Sequence, residues 1–150
     1  MKKYLIIAFI MIAQTMISFA QTDQVEVEKV ISSLFEGMKS KNPILVEQAF
    51  LKDAIMQTTI VGVNGATIGS NSVQDFVNRI ATTPDNTILD ERILEYQIKV
   101  DGHMASAWTP YEFYVNDGFS HCGVNSFQLI KTSGGWKIAY IIDTRRKEGC

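Results

Sequence analysis

The chain has 150 residues, 46% hydrophobic and 20% charged, enough apolar mass for one packed core and too little charge for a disordered chain. Lys and Arg number 14 against 16 Asp and Glu, a net charge of −2, which argues against the basic face that nucleic-acid binding needs; the one basic cluster, Arg145-Arg146-Lys147, reads as a solvated tail. Neither a phosphate loop nor a dinucleotide fingerprint can be built from Gly62, Gly65 and Gly69, and two His residues in the whole chain argue against a metal site.

The N-terminus reads as an export signal. Lys2 and Lys3 give the positive start and Tyr4 to Ile12 is an apolar run. Ser18 and Ala20 then place small residues at the −3 and −1 positions before Gln21. Gln14 and Thr15 interrupt the run, which falls short of the roughly 20 apolar residues of a membrane span. The expectation is a cleaved signal over 1–20, a single domain over 21–150, a periplasmic or extracellular location and no stable membrane insertion after cleavage. Cleavage leaves 12 basic against 16 acidic residues, a net charge of −4.

A helix follows. Asp23 is a candidate N-cap with Glu26 three residues on, and Val27, Val30, Ile31, Leu34, Phe35 and Met38 recur at helical spacing. Asn42 can cap a second helix with Pro43 at its first position; this helix should end near Lys52-Asp53. Ala54 to Val63 is β-branched and reads as a strand or extended edge, closed by the Asn64-Gly65 turn. A third helix starts at Ser72, with Asp75 three residues on, and stops before Thr83-Pro84.

Turns at Asp101-Gly102, Asn116-Asp117-Gly118 and Ser133-Gly134-Gly135 then separate four expected antiparallel strands: 89–100, 103–115, 119–131 and 136–144. Helices followed by a meander make an α+β fold. A tight Ser133-Gly134 turn sets Leu129 opposite Ile138 and Phe127 opposite Tyr140. An Asp117-Gly118 turn sets Tyr114 opposite His121, Glu112 opposite Gly123 and Trp108 opposite Phe127. One sheet face then holds Trp108, Glu112, Tyr114, His121, Asn125, Phe127 and Tyr140, and a slip of one residue reverses the assignment. Pro110 is a place where such a slip could arise. The other face carries Val124, Ile130, Ala139 and Ile141, an apolar set that predicts a homodimer. Cys122 and Cys150 are the two thiols of an exported chain and are expected to form a disulfide, with the tail folding back at Gly149.

The order of elements resembles the nuclear transport factor two-like, cystatin-like cone fold. Phe50-Leu51-Lys52-Asp53-Ala54 looks like that family's passage out of its second helix, Val100-Asp101-Gly102-His103-Met104-Ala105 like its hairpin, and Gly134-Gly135-Trp136-Lys137-Ile138 like its closing strand. The resemblance covers residues 24–146 and is nearest to small exported bacterial members labelled lumazine-binding or SnoaL-like polyketide-cyclase-like. It implies three helices packed in the concavity of a curved antiparallel meander, a pocket inside the cone, and dimers formed through sheet surfaces.

Three readings of function stand side by side, since a fold of this kind does not fix one. The first is an exported, non-catalytic binder of a small apolar or aromatic ligand, with Trp108, Tyr114, Asn125, Phe127 and Tyr140 as its walls and no cofactor. The second is an isomerase- or dehydratase-type enzyme in which His121 and Glu112, diagonal neighbours within roughly 7–8 Å, act as an acid–base pair. The third is a dimeric interaction module whose pocket is filled by Trp108, Phe127 and Tyr140.

Overall fold

A computed structural model describes the backbone of residues 2–150 and the side chains from Gln21 onward. The side chains of residues 1–20, and with them the small residues expected to mark a signal-cleavage site, lie outside the described residues. The elements run α1 (Lys2–Lys39), α2 (Pro43–Ala49), β1 (Phe50–Gly62), β2 (Gly65–Asn71), α3 (Val73–Ala81), β3 (Leu89–Ile93), β4 (Gln97–Asp101), β5 (Met104–Val115), β6 (Gly118–Thr132) and β7 (Gly135–Arg146). Three helices pack against one curved sheet of order β2-β1-β7-β6-β5-β3, with β4 also paired to β5. All pairings are antiparallel except β1 with β7, so the sheet is mixed rather than a pure meander.

Local chemistry explains the helix ends. Asn42 Oδ1 accepts from the backbone N–H of Ile44 and Leu45 at 3.2 and 3.3 Å, and Pro43 occupies the first helical position, where it sacrifices no hydrogen bond. Ser72 Oγ accepts from Asp75 N at 3.0 Å and donates to the Asp75 carboxylate at 2.7 Å. Asp23 does not cap anything, because α1 runs through it. Its carboxylate instead accepts from Lys131 Nζ and from Trp136 Nε1, tying α1 to the β6–β7 hairpin. The second helix stops at Ala49, earlier than its composition suggests, because Phe50 already pairs with Ile138 as a strand residue.

Pro110 shapes the sheet without shifting its register. It pairs regularly with Val124 on the β6 side. On the other side it has no N–H to offer, and the strand expected over 89–100 is broken there into β3 and β4. Leu94 N donates to Pro110 O at 2.9 Å across the break.

The core lies between α1, α2 and the concave face of the sheet. Val27, Ile31, Leu34 and Met38 from α1 and Val46 from α2 are buried, as are Ala105, Ala107, Phe127, Leu129, Trp136 and Ile138 from the strands. Among the described residues, no helix is long and apolar enough to cross a membrane.

Candidate functional site

The concave face does not close completely over β1, β3 and the outer half of β7. A cavity of about 260 Å3 remains, walled by Leu34, Phe35 and Met38 of α1, by Phe76 and Ile80 of α3, and by Phe113 and Ile141 of the sheet. Its opposite wall is polar and comes from the strands: Thr58, Glu91, Tyr111, His121, Asn125, Asp143 and Arg145.

The polar wall is ordered by strand register. Thr58 on β1 pairs with Asp143 on β7, Asp143 with Asn125 on β6, and Asn125 with Thr109 on β5. Four polar side chains thus form one row across four strands. Asn125 Nδ2 donates to Glu91 Oε1 at 2.7 Å. Asp143 Oδ2 accepts from Arg145 Nε at 2.7 Å and from the Tyr111 hydroxyl at 3.4 Å; that hydroxyl also donates to Thr144 O at 3.0 Å. Gly123 makes room for this arrangement. A Cβ there would lie 1.8 Å from Thr144 O and 2.8 Å from the Tyr111 oxygen.

Burial controls the electrostatics. Withdrawal from water, helped by the nearby Asp143 charge and opposed by the Asn125 bond, pushes the Glu91 carboxyl up to about 7. Glu91 keeps some accessible surface as a residue while its carboxyl is enclosed, and the local environment of the carboxyl governs its titration. The Tyr111 hydroxyl is held well above its ordinary range, first by burial and then by the Glu91 and Asp143 charges. His121 is pushed down, first by burial and then by Arg145. Its Nδ1 lies 3.0 Å from Ser120 Oγ, and its ring packs against Phe113 and Tyr111.

Of the residues expected at the site, His121 and Asn125 line this cavity. Phe127 is buried behind it, edge-on to Phe35 with ring centroids 6.3 Å apart. The other four point elsewhere. Asn116 and Asp117, with φ of 50° and 64°, are the two central residues of the β5–β6 turn, so Val115 pairs with Gly118. The turn sits one residue earlier than the Asp-Gly pair suggests, and a bulge between Phe113 and Tyr114 then shifts the pairing by a single residue, so every β5 side chain from Trp108 to Phe113 changes face. Glu112 therefore lies opposite Cys122 and accepts from the Tyr114 hydroxyl at 2.8 Å, not from His121. Tyr114 stacks under the Arg92 guanidinium at 3.9 Å, and Trp108 stands on the outer face, 50% exposed. A bulge in the β6–β7 pairing puts Tyr140 opposite Gln128, where its hydroxyl donates to Gln57 Oε1 at 2.7 Å. The same bulge turns Ile141 inward, removing it from the expected outer patch. The His121–Glu112 pair and a pocket plugged by Trp108, Phe127 and Tyr140 are both absent from the described residues.

Sequence reasoning overlooked Glu91, Tyr111, Asp143 and Arg145. One signal was present: Leu89, Glu91 and Ile93 alternate, so a carboxylate shares a face with two apolar residues. Asp143 gave no such signal, because only the bulge brings it inside. Cys122 and Cys150 are joined, with Cα atoms 5.8 Å apart, and the tail returns to the end of β7, where the Arg146 side chain donates to Gly149 O. Among the described residues, no group of three His, Cys, Asp or Glu side chains is arranged to hold a metal ion.

A curved sheet folded around helices, with a cavity inside the cone, defines the nuclear transport factor two-like, cystatin-like class. The chain resembles an NTF2-like protein of unknown function from Shewanella baltica at 20% identity, with a TM-score of 0.59 over 82% of this chain and 93% of that one. It is also similar to a cystatin-like fold protein of unknown function from Nostoc punctiforme, at 12% identity and a TM-score of 0.65 over 85% and 93% of the two chains. A third structure, described as a "putative dehydratase from the NTF2-like family" of Streptomyces avermitilis, gives 14% identity and a TM-score of 0.65 over 84% and 97%. Residues 22–140 match the family described as "Putative lumazine-binding", and the chain belongs to that family. No curated protein matches the chain.

Proposed function

We propose that this is an exported small-molecule-binding protein whose ligand occupies the inner cavity. The cavity itself carries the reading: apolar walls on the helix side, and on the strand side a few polar groups that can orient a guest. Its volume lies just under the roughly 300–1,000 Å3 usual for drug-sized ligands, which favours a compact molecule. Native mass spectrometry of protein isolated from its own host tests this, alongside a fluorescence titration with lumazine, the molecule that the family description names. A retained or titratable small molecule is the expected result; empty protein in repeated preparations, with no binding of lumazine, would remove the reading.

A second reading is favoured by Glu91, a carboxyl able to exchange a proton near neutral pH beside an apolar cavity. In that reading the protein is a proton-transfer enzyme of the isomerase or dehydratase kind, with Glu91 in place of the expected His121–Glu112 pair. Deuterium uptake from D2O into a bound ligand, abolished in Glu91→Gln, is the readout. Export rests on the N-terminal pattern, and N-terminal sequencing of secreted material checks cleavage before Gln21. Self-association rests on the exposed apolar Met104, Trp108 and Ile130 of the outer face. Light scattering should give a dimer mass, and Trp108→Glu a monomer.

A further inference from the structure

Three buried side-chain atoms among the described residues have no hydrogen-bond partner: Thr58 Oγ1, Thr109 Oγ1 and Asp143 Oδ1. All three belong to the single row that crosses β1, β7, β6 and β5. A buried polar atom without a partner costs about 1–3 kcal/mol, and more if charged. Scattered orphans would be incidental. Three in one row, two of them on residues of the cavity wall, mark a place built to be completed by something else.

The row also states what that partner offers. Asp143 is 92% buried, with 8% of its surface exposed, and an ionised carboxylate only accepts hydrogen bonds. Arg145 Nε and the Tyr111 hydroxyl occupy Oδ2 and leave Oδ1 without a partner, enclosed behind the cavity surface. Thr58, directly opposite Asp143, carries a hydroxyl that can rotate to donate or accept. Glu91, held by Asn125 through one oxygen, adds a second carboxyl to the same wall. A guest with N–H or O–H groups meets these acceptors, while the Arg145 Nε donor on the same wall is already engaged by Asp143.

We propose that the polar row Thr58–Asp143–Asn125 reads a compact ligand that presents an N–H or O–H donor edge to the Asp143 carboxylate, its apolar body lying against Phe35, Phe76 and Phe113. This rests on the cavity-binding reading above and names the class of molecule it takes.

Three probes of nearly the same shape test it: benzamidine, benzamide and benzoate, titrated into the full chain at pH 7.5 and followed by calorimetry and by NMR of the cavity residues. Benzamidine and benzamide should bind at least tenfold more tightly than benzoate. Asp143→Asn keeps the side chain's shape. With its oxygen retained by Arg145, it turns an N–H2 towards the guest, so benzamidine should weaken tenfold or more while benzoate gains. If that variant fails to fold, Thr58→Val should weaken both donor probes two- to fivefold. Benzoate binding as tightly as benzamidine, or an unchanged probe order in Asp143→Asn, overturns the proposal. Failure of all three probes overturns it too. Recovery from the host of a retained ligand lacking any N–H or O–H donor would then leave cavity binding intact, whereas empty protein would take both down.

Discussion

The two ends of the concave face are built on opposite terms. Near the β6–β7 hairpin, Leu129, Trp136 and Ile138 meet Val27 and Ile31 with almost no polar atom among them. Near the far end of β7, Asp143, Asn125, Thr58 and Glu91 occupy equivalent inward positions, and a cavity stands where the packing would have been. The first end supplies stability through apolar burial. The second gives up part of it and keeps a recessed, acceptor-lined space. The comparison teaches that a strand's inward face need not be uniform: one sheet can carry a core at one end and a binding wall at the other.

The largest expected effect lies at the packed end. Leu129→Ala removes a fully buried side chain between Ala105 and Ile138 and should lower unfolding stability in urea by about 3–5 kcal/mol. A loss under 1 kcal/mol would mean that the two ends are not as different as described.

Next comes the covalent tie, which belongs to the cavity end. Cys122 pairs opposite Arg146, just beyond Asp143, and bonds to Cys150 across a sequence separation of 28. Replacing both Cys with Ser should cost about 3–4 kcal/mol from loop closure alone. Free-thiol counting on denatured, unreduced protein checks that the bond is present; two free thiols in exported material would remove it from the comparison.

Glu91 gives a smaller, pH-dependent effect. Its folded pKa lies above the unfolded value, so its contribution is most favourable below about 4.5, the unfolded value, and is lost as pH rises through about 7. Glu91→Gln should therefore stabilise the protein by about 1–3 kcal/mol at pH 8 and change little at pH 4, read from thermal unfolding at both pH values. Asp90 runs the other way. The Arg92 and Lys39 partners outweigh its burial and hold its carboxyl below the usual range, so its contribution is lost only as pH falls through that lowered value. The two windows do not overlap, so acid titration separates them.

The smallest effect tests the polar row. Thr109→Val removes an unpartnered hydroxyl at fully buried Thr109 and should leave ligand-free stability unchanged or raise it by up to about 1 kcal/mol. A loss of 2 kcal/mol would show that the hydroxyl has a partner in solution.

Much of this architecture is legible in the sequence. The caps at Asn42 and Ser72, the presence of three hairpin turns and the apolar stripe of α1 are local features, and local chemistry reports them. The inward alternation of β6 from His121 to Leu129 is legible for the same reason. The site is harder to read because it depends on two one-residue details. The β5–β6 hairpin turns on Asn116 and Asp117 in left-handed backbone and carries a bulge between Phe113 and Tyr114, and the bulge exchanges Glu112 and Trp108 for Tyr111 and Phe113. The bulge beside Leu129 exchanges Tyr140 for Ile141 and Asp143. Composition does not announce a bulge, since it is set by how strands from distant parts of the chain fit together.

That long-range fit also sets an order of events. β1 and β7 pair in parallel, Ile55 with Tyr140 and Thr58 with Asp143, so the sheet cannot close until nearly the whole chain is available. Contacts between such distant segments form slowly, because the loop between them must first be immobilised. In the finished sheet β2 is an edge strand, and Ile60, Val61 and Ile68 of the β1–β2 hairpin stay exposed to water. The cavity takes walls from both β1 and β7, so it comes into existence only with the last strand pairing: a guest can reward the finished fold, but it has nothing to hold on to during the search for it.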